Sequence, residues 1–560
     1  MSKANKFAGI CIECGCSVPK GKGFIKKQNG KWVTYHAADK CEVREARESK
    51  LPLIRKDQYQ SAVYDAVASG HDGPHILVKA RAGSGKTTVQ CEGIHGYTSD
   101  HNGSVAAYAF GTADGKRLKD NLFGTGAEAG TTHSAGMAAI RSKWGRKRIN
   151  KFKDADIMIK VIGEKEKHEV MWTQVSDLVS KAKADGLCPD DVDLIRLLDE
   201  DYDLGIPSDL LDEAVKMTVE CLELAMDVET YRYNFDDMLW LVVVYNLPLP
   251  SFDFVFVDEC QDWNNCQLWL LEQFNDAGTR IMAVGDPEQS LYAFRGARHD
   301  AFDRINAILT GSDRGCLELP MPVSYRNSLA VIEEAQKIVS DIQARPGAPK
   351  GSVVKEACLF DLVETAGEDC MLICRTNAPL VQIARFYATI GRKFYMRGGD
   401  KEAMLLKWYV DMWATGNGER ATTDVGEMIN RAQVWINDRA VNTTGYKLAE
   451  HKERLEVIEL LSESCFSVAE VKSKIDEVFM PPKSSNGCVI LSTIHRAKGS
   501  EADTVIHIHP ELCPHPKATS EEQKKQESNA HYVAITRAIT NYIETVGNVA
   551  ELRSKSELAA

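Results

Sequence analysis

The stretch HILVKARAGSGKTTVQ (residues 75–90) joins an apolar run to a glycine-containing turn and a segment with helical character. Gly83, Gly85, Lys86 and Thr87 have the spacing of a Walker A loop, although Ala80 replaces the first glycine of that pattern. Glycines let backbone N–H groups wrap phosphates, and the N-terminus of the following helix attracts negative charge. The stretch therefore predicts a strand, a loop and a helix of an α/β fold, with phosphates held by Ala82, Gly83, Ser84, Gly85, Lys86, Thr87 and Thr88.

The stretch FVFVDECQDWN (residues 254–264) runs from four apolar residues directly into acidic ones. Carboxylates are almost never buried unless they are paired or bound to a metal. A phosphate-loop enzyme needs a carboxylate at the end of a neighbouring strand, so we expect Asp258 and the Thr87 hydroxyl to hold Mg²⁺. Lys86 would reach the β and γ phosphates of ATP, and Glu259 would orient or deprotonate the attacking water.

Length and composition limit the class of protein. The chain has 560 residues, which is too many for one core, and its 44% hydrophobic and 26% charged residues are typical of globular domains. We find no apolar run near the roughly 18 residues of a membrane span, and the N-terminus lacks a signal-peptide stretch. The sixteen scattered cysteines favour reduced thiols, and we expect a cytoplasmic, nucleoid-associated protein with no membrane partner. The net charge of -12 excludes wholesale coating of nucleic acid but allows a locally basic groove.

With both motifs identified, the chain resembles superfamily 1 helicases of the UvrD/Rep type from about residue 51 to 545. The further segments that carry the resemblance are AYAFGTADGKRL (107–118), TTHSAG (131–136), AVGDPEQSLYAFRGA (283–297), SYRNS (324–328), LICRTN (372–377), STIHRAKGSEADTV (492–505) and HYVAITRA (531–538). The resemblance implies two RecA-like P-loop NTPase domains with helical insertions. It also implies a DNA helicase that couples ATP hydrolysis to 3′ to 5′ movement on single-stranded DNA, including duplex junctions.

The resemblance also implies roles for individual residues. At the nucleotide, Gln289 would sense the γ-phosphate, Tyr325 would stack on adenine, Arg326 and Arg537 would reach the phosphates, and Glu501 would contact the ribose. The adenine-reading glutamine is Gln58, with Gln60 as the alternative. The residues implied at the nucleic acid are Phe110, Thr132, His133, Tyr292, Phe294, Thr493 and His495. Two departures from the family pattern stand out: Arg81 replaces a common glycine, and SNAHYVAITRA (528–538) has polar residues where apolar ones are usual.

The spacing of the motifs predicts the domain organisation. Lys86 and Asp258 are 172 residues apart, too far for one or two strand–helix steps, so an insertion must separate them. We expect RecA-like domain 1 at 51–140 and 231–315 with a helical insertion at 141–230, and RecA-like domain 2 at 316–397 and 486–560 with a helical insertion at 398–485. The first insertion begins with RSKWGRKRINKFK (141–153), whose interleaved basic and aromatic residues suit either DNA contact or a solvated face.

The first 50 residues carry a separate signal. Cys11 and Cys14 form a CxxC pair, and His36 and Cys41 follow after a lysine-rich segment. Tetrahedral Zn²⁺ prefers four such ligands, and a segment this small needs a metal to fold, so we expect a zinc-binding module. Cys16 is a spare thiol or a competing ligand, and the module could dock DNA or a protein partner.

Other functions remain open at this point. The chain could be a single-strand-stimulated ATPase that translocates without unwinding, or a switch subunit of a repair, replication or defence complex. RNA could replace DNA, because stacking tolerates any base. A small-molecule kinase is disfavoured, since it has no use for Gln289, Arg326 and Arg537 as a set.

Overall fold

A computed structural model describes residues 57–163, 168–202, 204–291, 300–368, 370–416, 421–442, 445–479, 487–515, 518, 520–547 and 549, together with five strands among the first 36 residues. None of the described helices combines the length and the apolar character needed to cross a bilayer.

The secondary structure alternates between strands and helices. The strands are β1 (Lys3–Ala4), β2 (Gly9–Ile10), β3 (Ser17–Val18), β4 (Gly23–Gln28), β5 (Lys31–His36), β6 (His75–Ala80), β7 (Val105–Ala109), β8 (Glu128–Thr131), β9 (Phe254–Val257), β10 (Arg280–Gly285), β11 (Cys316–Met321), β12 (Val323–Ser324), β13 (Gln343–Ala344), β14 (Ser352–Cys358), β15 (Cys370–Cys374), β16 (Phe394–Met396), β17 (Val489–Thr493), β18 (Ala502–Ile508) and β19 (Ala538–Val546). The helices are α1 (Gln58–Ala68), α2 (Lys86–Asp100), α3 (Thr112–Asn121), α4 (Thr132–Trp144), α5 (Lys153–Val161), α6 (Glu169–Asp185), α7 (Val192–Asp201), α8 (Ser208–Met226), α9 (Val228–Tyr231), α10 (Asp237–Val244), α11 (Asn265–Asp276), α12 (Ala301–Thr310), α13 (Leu329–Ala335), α14 (Leu359–Thr365), α15 (Ala378–Thr389), α16 (Gly399–Thr415), α17 (Val425–Asn442), α18 (Gly445–Ser462), α19 (Val468–Phe479), α20 (Ile494–Ala497) and α21 (Glu521–Thr536).

The first sheet has six parallel strands in the order β11-β6-β10-β9-β7-β8. Its central strands are buried apolar runs, as expected for a parallel sheet covered on both faces. Because all strands point the same way, the phosphate loop after β6, the acidic segment after β9 and the segment after β10 meet at one edge. This edge carries the nucleotide motifs of the first domain.

The second sheet also has six parallel strands, in the order β14-β19-β18-β15-β17-β16. β17 leads into the segment around Lys498, and β19 begins directly after Arg537. The prediction of two α/β domains of the P-loop NTPase type is confirmed.

One edge strand departs from the predicted domain boundary at residue 315. β11 follows that boundary in the chain but pairs with β6 of the first sheet. β11 includes Pro320 and is partly exposed, as expected for an edge strand, where proline is tolerated. The first sheet therefore extends to Met321, and no local sequence pattern states which of two sheets an edge strand joins.

The two insertions are helical. The first packs α5 to α9 around apolar residues such as Val175, Leu178 and Leu222. It shares with α10 a buried charge cluster in which Lys153 Nζ lies 2.7 Å from Asp237 Oδ2. The second insertion packs α16 to α19 around residues such as Leu406, Trp413 and Ile458.

Among the first 36 residues, β1, β4 and β5 form an antiparallel sheet and β2 pairs with β3. His36 is the last residue of β5. The other predicted zinc ligands, Cys11, Cys14 and Cys41, lie outside the described residues.

Candidate nucleotide-binding cleft

The phosphate loop between β6 and α2 has the backbone that its glycines permit. Gly83 and Gly85 have φ values of 72° and 84°, which side-chain-bearing residues adopt at a cost. A Cβ atom at position 83 would also collide with Ser324 and Arg326 of the second domain. Gly85 is the N-cap of α2, and no side chain caps this helix start. The helix N-terminus is therefore available for an anion. This agrees with the prediction that the loop, including Ala82, Ser84 and Thr88, holds phosphates.

Two carboxylates at the end of β9 face the phosphate loop. Lys86 Nζ lies 3.3 Å from Glu259 Oε1, and Thr87 Oγ1 donates a hydrogen bond to Asp258 Oδ2 at 2.9 Å. Burial by itself lowers the pKa of Lys86, but Glu259, Asp286 and Asp258 together raise it above its ordinary value. Lys86 is therefore held as a cation between carboxylates.

The pKa values of the two carboxylates are shifted in opposite directions. Burial and the neighbouring Glu259 raise the pKa of Asp258 to about 6. Burial alone would also raise the pKa of Glu259, but Lys86 and Lys498 lower it to about 2. Glu259 has a φ of 52°, an uncommon value for a residue with a side chain, and this directs its carboxylate toward Lys86.

The site has the donor set that Mg²⁺ requires. Mg²⁺ prefers hard oxygen ligands and is usually bound through one or two protein groups together with substrate phosphates. The hydroxyl of Thr87 and the carboxylate of Asp258 are adjacent at the phosphate loop. These two residues fit a magnesium ion bridging protein and nucleotide.

The segment after β10 supplies a third set of polar groups. Gln289 Nε2 donates to Asp286 Oδ2 at 2.7 Å, and Asp286 N–H donates to Gln261 Oε1 at 3.0 Å. Gln261 in turn donates from Nε2 to Glu259 Oε2. The predicted γ-phosphate sensor Gln289 is thus connected through hydrogen bonds to the predicted base Glu259.

The second domain contributes Arg537 to the same cleft. Arg537 is buried, and its Nη2 donates to Gln289 Oε1 at 3.3 Å. Burial and the nearby Arg326 lower the pKa of Arg537 to about 9. Within the described part of the chain, no carboxylate forms an ion pair with Arg537. A buried guanidinium in this state is suited to receive an anion.

The remaining predicted nucleotide residues surround the loop. Arg326 Nε lies 2.6 Å from Glu501 Oε2, so these two predicted contacts pair with each other in this structure. The Tyr325 hydroxyl donates to Asp57 Oδ2 at 2.7 Å. Gln58 is exposed at the start of α1, whereas Gln60 is buried and donates to the Ser84 carbonyl at 3.2 Å. Gln58 is thus accessible to a base, while Gln60 supports the phosphate loop.

Several interdomain contacts were not anticipated from the sequence. Lys498 of the second domain forms an ion pair with Asp262, the last acid of the DECQD segment. The Ala82 N–H donates to the Tyr532 hydroxyl at 3.2 Å. Arg81 lies 3.0 Å from Asp286 and forms two 2.7 Å hydrogen bonds with Asp341 of the second domain. The only sequence signal for these contacts was the unusual arginine itself, because a lone motif does not indicate its partner across a cleft.

The residues predicted to contact nucleic acid differ in their burial. Phe110, His133 and His495 are half-buried, while Thr132 and Thr493 are buried. The Thr132 hydroxyl accepts a hydrogen bond from Gln267 Nε2 at 2.8 Å, so it supports the packing of α4 against α11. Tyr292 and Phe294 lie outside the described residues.

The basic segment at the start of the first insertion contains both exposed and buried residues. Phe152 is 73% exposed, but Lys153, the last basic residue of the segment, is buried. Neither alternative for the segment, DNA contact or a solvated face, holds for Lys153, because its ammonium group pairs with the buried Asp237 of α10. A run of basic residues does not show which of them turns inward.

Comparisons with known proteins agree with this geometry. The UvrD/REP helicase N-terminal domain matches residues 62–308, and the UvrD-like helicase C-terminal domain matches residues 448–543; together they cover more than half of the chain. ATP-dependent DNA helicase Rep of Escherichia coli (strain K12) is 25% identical over 299 residues, which are 48% of this chain and 41% of that protein. DNA helicase II of the same organism is 25% identical over 219 residues, covering 34% of this chain and 29% of that protein.

A vertebrate protein matches over a longer part of the chain. F-box DNA helicase 1 of Gallus gallus is 24% identical over 345 residues, which are 59% of this chain and 32% of that protein. The chain thus spans less than half the length of each of these relatives. With both matched domains and the cleft between the two sheets, the chain belongs to the UvrD/Rep-like superfamily 1 helicases.

Proposed function

We propose that this protein is an ATP- and Mg²⁺-dependent motor that moves 3′ to 5′ along single-stranded DNA and opens duplex at junctions. One observation carries the proposal: charged groups from both α/β domains converge on a single cleft. Lys86 and Glu259 come from the first domain, and Arg537 comes from the second and reaches Gln289. A site divided in this way makes the closure of two domains depend on the nucleotide.

The side chains of the cleft suit phosphoryl transfer to water. An incoming phosphate would replace Glu259 as the partner of Lys86, which leaves the Glu259 carboxylate to orient the attacking water and accept its proton. Arg537 would place its charge on the γ-phosphate, where such arginines contribute about 10³–10⁵ in rate. Thr87 and Asp258 would hold Mg²⁺, which supplies charge neutralisation at the β and γ phosphates.

Movement would follow from the gain and loss of the phosphate anion. With the γ-phosphate present, Arg537 and Arg326 would bind the nucleotide and hold the domains together; after hydrolysis, this attraction weakens. Phe110, His133 and His495 are at least partly accessible, and with Tyr292 and Phe294 they are our proposed DNA contacts. Base stacking on such side chains is worth about 1–3 kcal/mol per base and is independent of sequence.

We also propose that Cys11, Cys14, His36 and Cys41 bind Zn²⁺ and form a docking module for DNA or a protein partner. Removing zinc should unfold the module and leave basal ATP turnover unchanged. Loss of turnover on chelation, with Mg²⁺ restored, would contradict a separate module.

The decisive experiment is the ATP hydrolysis rate of pure protein without nucleic acid and with single-stranded DNA, duplex DNA or RNA. We expect strong stimulation by single-stranded DNA, and background rates for Lys86→Ala and Glu259→Gln under all conditions. Duplexes with 3′ or 5′ tails then test polarity, and only the 3′-tailed duplex should be unwound. A rate that is indifferent to nucleic acid would overturn the motor and favour a switch subunit.

A further inference from the structure

Three side chains of the second domain form a cluster that the nucleotide chemistry does not use. His507 on β18, His531 on α21 and Glu544 on β19 each bring one potential ligand atom within 4.8 Å of the others. His531 Nε2 and Glu544 Oε1 are 3.5 Å apart. We refer to these residues as the His–His–Glu cluster.

The cluster contains polar atoms without hydrogen bonds. His507 Nε2, His531 Nε2 and Glu544 Oε1 are all buried, and within the described residues none of them has a hydrogen-bond partner. His507 is fully buried. Buried polar atoms without hydrogen bonds are costly, and the 3.5 Å contact between His531 Nε2 and Glu544 Oε1 still leaves His507 Nε2 unsatisfied. A bound cation would satisfy all three at once.

The hydrogen bonding of His507 leaves one ring nitrogen available as a ligand. His507 Nδ1 is 2.7 Å from the Tyr542 hydroxyl, so a proton on Nδ1 can be donated to Tyr542, leaving the Nε2 lone pair free.

Lys355 lies beside the cluster and is shared between two carboxylates. Its Nζ lies 3.0 Å from Glu544 Oε2 and 2.8 Å from Glu334 Oε1. The lysine contacts the Glu544 oxygen that is not orphaned, so Glu544 Oε1 remains available to another cation.

We propose that His507, His531 and Glu544 form a binding site for a divalent metal ion of the zinc class. Two imidazole nitrogens and one carboxylate oxygen are a known ligand set for Zn²⁺, with bonds of about 2.0–2.2 Å and a fourth position left for water. The 3.5 Å separation of the His531 and Glu544 atoms is close to the spacing of two ligands on a tetrahedral ion. The site is distinct from the proposed magnesium and N-terminal zinc sites.

The position of the site gives it a structural consequence. α21 carries Tyr532, whose hydroxyl accepts from the Ala82 N–H of the phosphate loop, and it ends just before Arg537. A metal ion would fasten this helix to β18 and β19 and so fix the helix end that presents Arg537. It would also explain a polar residue, His531, in a segment where the family usually has apolar ones.

The test uses the full chain, stripped of metal with a chelator and then titrated with Zn²⁺. We compare wild type with His531→Phe and Glu544→Gln; His509→Gln is the control, because His509 pairs with Glu511 outside the cluster. Wild type and the control should bind one more equivalent than the two cluster variants. Affinity at this site should fall at least about 10–100-fold in the variants. Equal zinc stoichiometry and affinity in all four proteins would overturn the proposal.

Co²⁺ provides an independent readout that separates this site from the cysteine-rich N-terminus. The difference spectrum between wild type and Glu544→Gln should contain ligand-field bands and no thiolate-to-cobalt charge-transfer band. A featureless difference spectrum would contradict the site. Because Glu544→Gln preserves side-chain size, this comparison stands even if His531→Phe fails to fold.

Discussion

Two buried charge clusters in this molecule are built differently. Where the first insertion meets α10, Lys183 Nζ lies 2.6 Å from Asp154 Oδ1 and 2.9 Å from Asp237 Oδ1, and Lys153 also pairs with Asp237. Both lysines have carboxylate partners, so the charges of the two lysines and the two aspartates balance. We call it the insertion cluster.

In the nucleotide-binding cleft, by contrast, one buried cation lacks a carboxylate partner. Lys86 and Lys498 have carboxylate partners, but Arg537 is equally buried and forms no ion pair among the described residues. A buried unpaired charge is unfavourable, and its burial is what lowers the pKa of Arg537. We interpret the balanced cluster as one that stabilises the fold, and we propose that the unpaired charge at the domain boundary receives a ligand.

The largest expected effect is on turnover in the cleft. Arg537→Ala should lower the ATP turnover rate by about 10³-fold or more, because the charge that meets the γ-phosphate is lost. The measurement is steady-state hydrolysis with single-stranded DNA, and the control is Arg117→Ala, which removes an exposed arginine on α3. A reduction below tenfold would remove Arg537 from the site.

Removing a carboxylate from the insertion cluster should lower the stability of the protein. Asp237→Ala leaves two lysines buried with less compensation and should lower the free energy of unfolding by about 3–5 kcal/mol. Denaturant unfolding measures the loss, and Asp212→Ala, at an exposed aspartate on α8, should cost less than about 1 kcal/mol. Equal losses in the two variants would mean that the buried cluster has no special role.

Acid should weaken the insertion cluster in a predictable direction. Burial would raise the pKa of Asp237, but Lys183 and Lys153 lower it below its ordinary value. Its contribution is therefore complete above the unfolded-state pKa of about 3.9 and is lost as the pH falls toward the lower folded-state value. The stability gap between wild type and Asp237→Asn should stay constant from neutral pH to about pH 5 and shrink below that, by at most about 1.4 kcal/mol per unit. A stability difference that grows in acid would contradict a lowered pKa of Asp237 in the folded state.

The smallest expected effect concerns the arginine that joins the phosphate loop to the second domain. Asp341 is 55% exposed, so its ion pair with Arg81 should be worth less than about 1 kcal/mol. Asp341→Asn should therefore change the KM for ATP by less than about fivefold and leave kcat unchanged. A large fall in kcat would show that this contact controls cleft closure.

Residues that belong to short local motifs could be predicted from the sequence. Gly83, Gly85 and Lys86 could be recognised because a phosphate loop needs fixed backbone geometry and spacing. Their partners across the cleft could not, since the pairings of Arg81 with Asp341 and of Lys498 with Asp262 join residues 260 and 236 positions apart.

Burial within charge runs was equally hidden from sequence reasoning. Lys153 directly follows the exposed Phe152 in the chain, yet the fold buries it. The His–His–Glu cluster likewise joins two strands and a helix that come together only in the folded domain.

The most direct test of the comparison is the unfolding free energy of Arg537→Met, measured without nucleotide against wild type. Methionine fills similar volume without charge, so it loses the hydrogen bonds of Arg537 but also relieves its desolvation. We predict a change of less than about 2 kcal/mol, in a variant whose ATP turnover has collapsed. A loss like that expected for Asp237→Ala would contradict the account, because Arg537 would then be a structural charge.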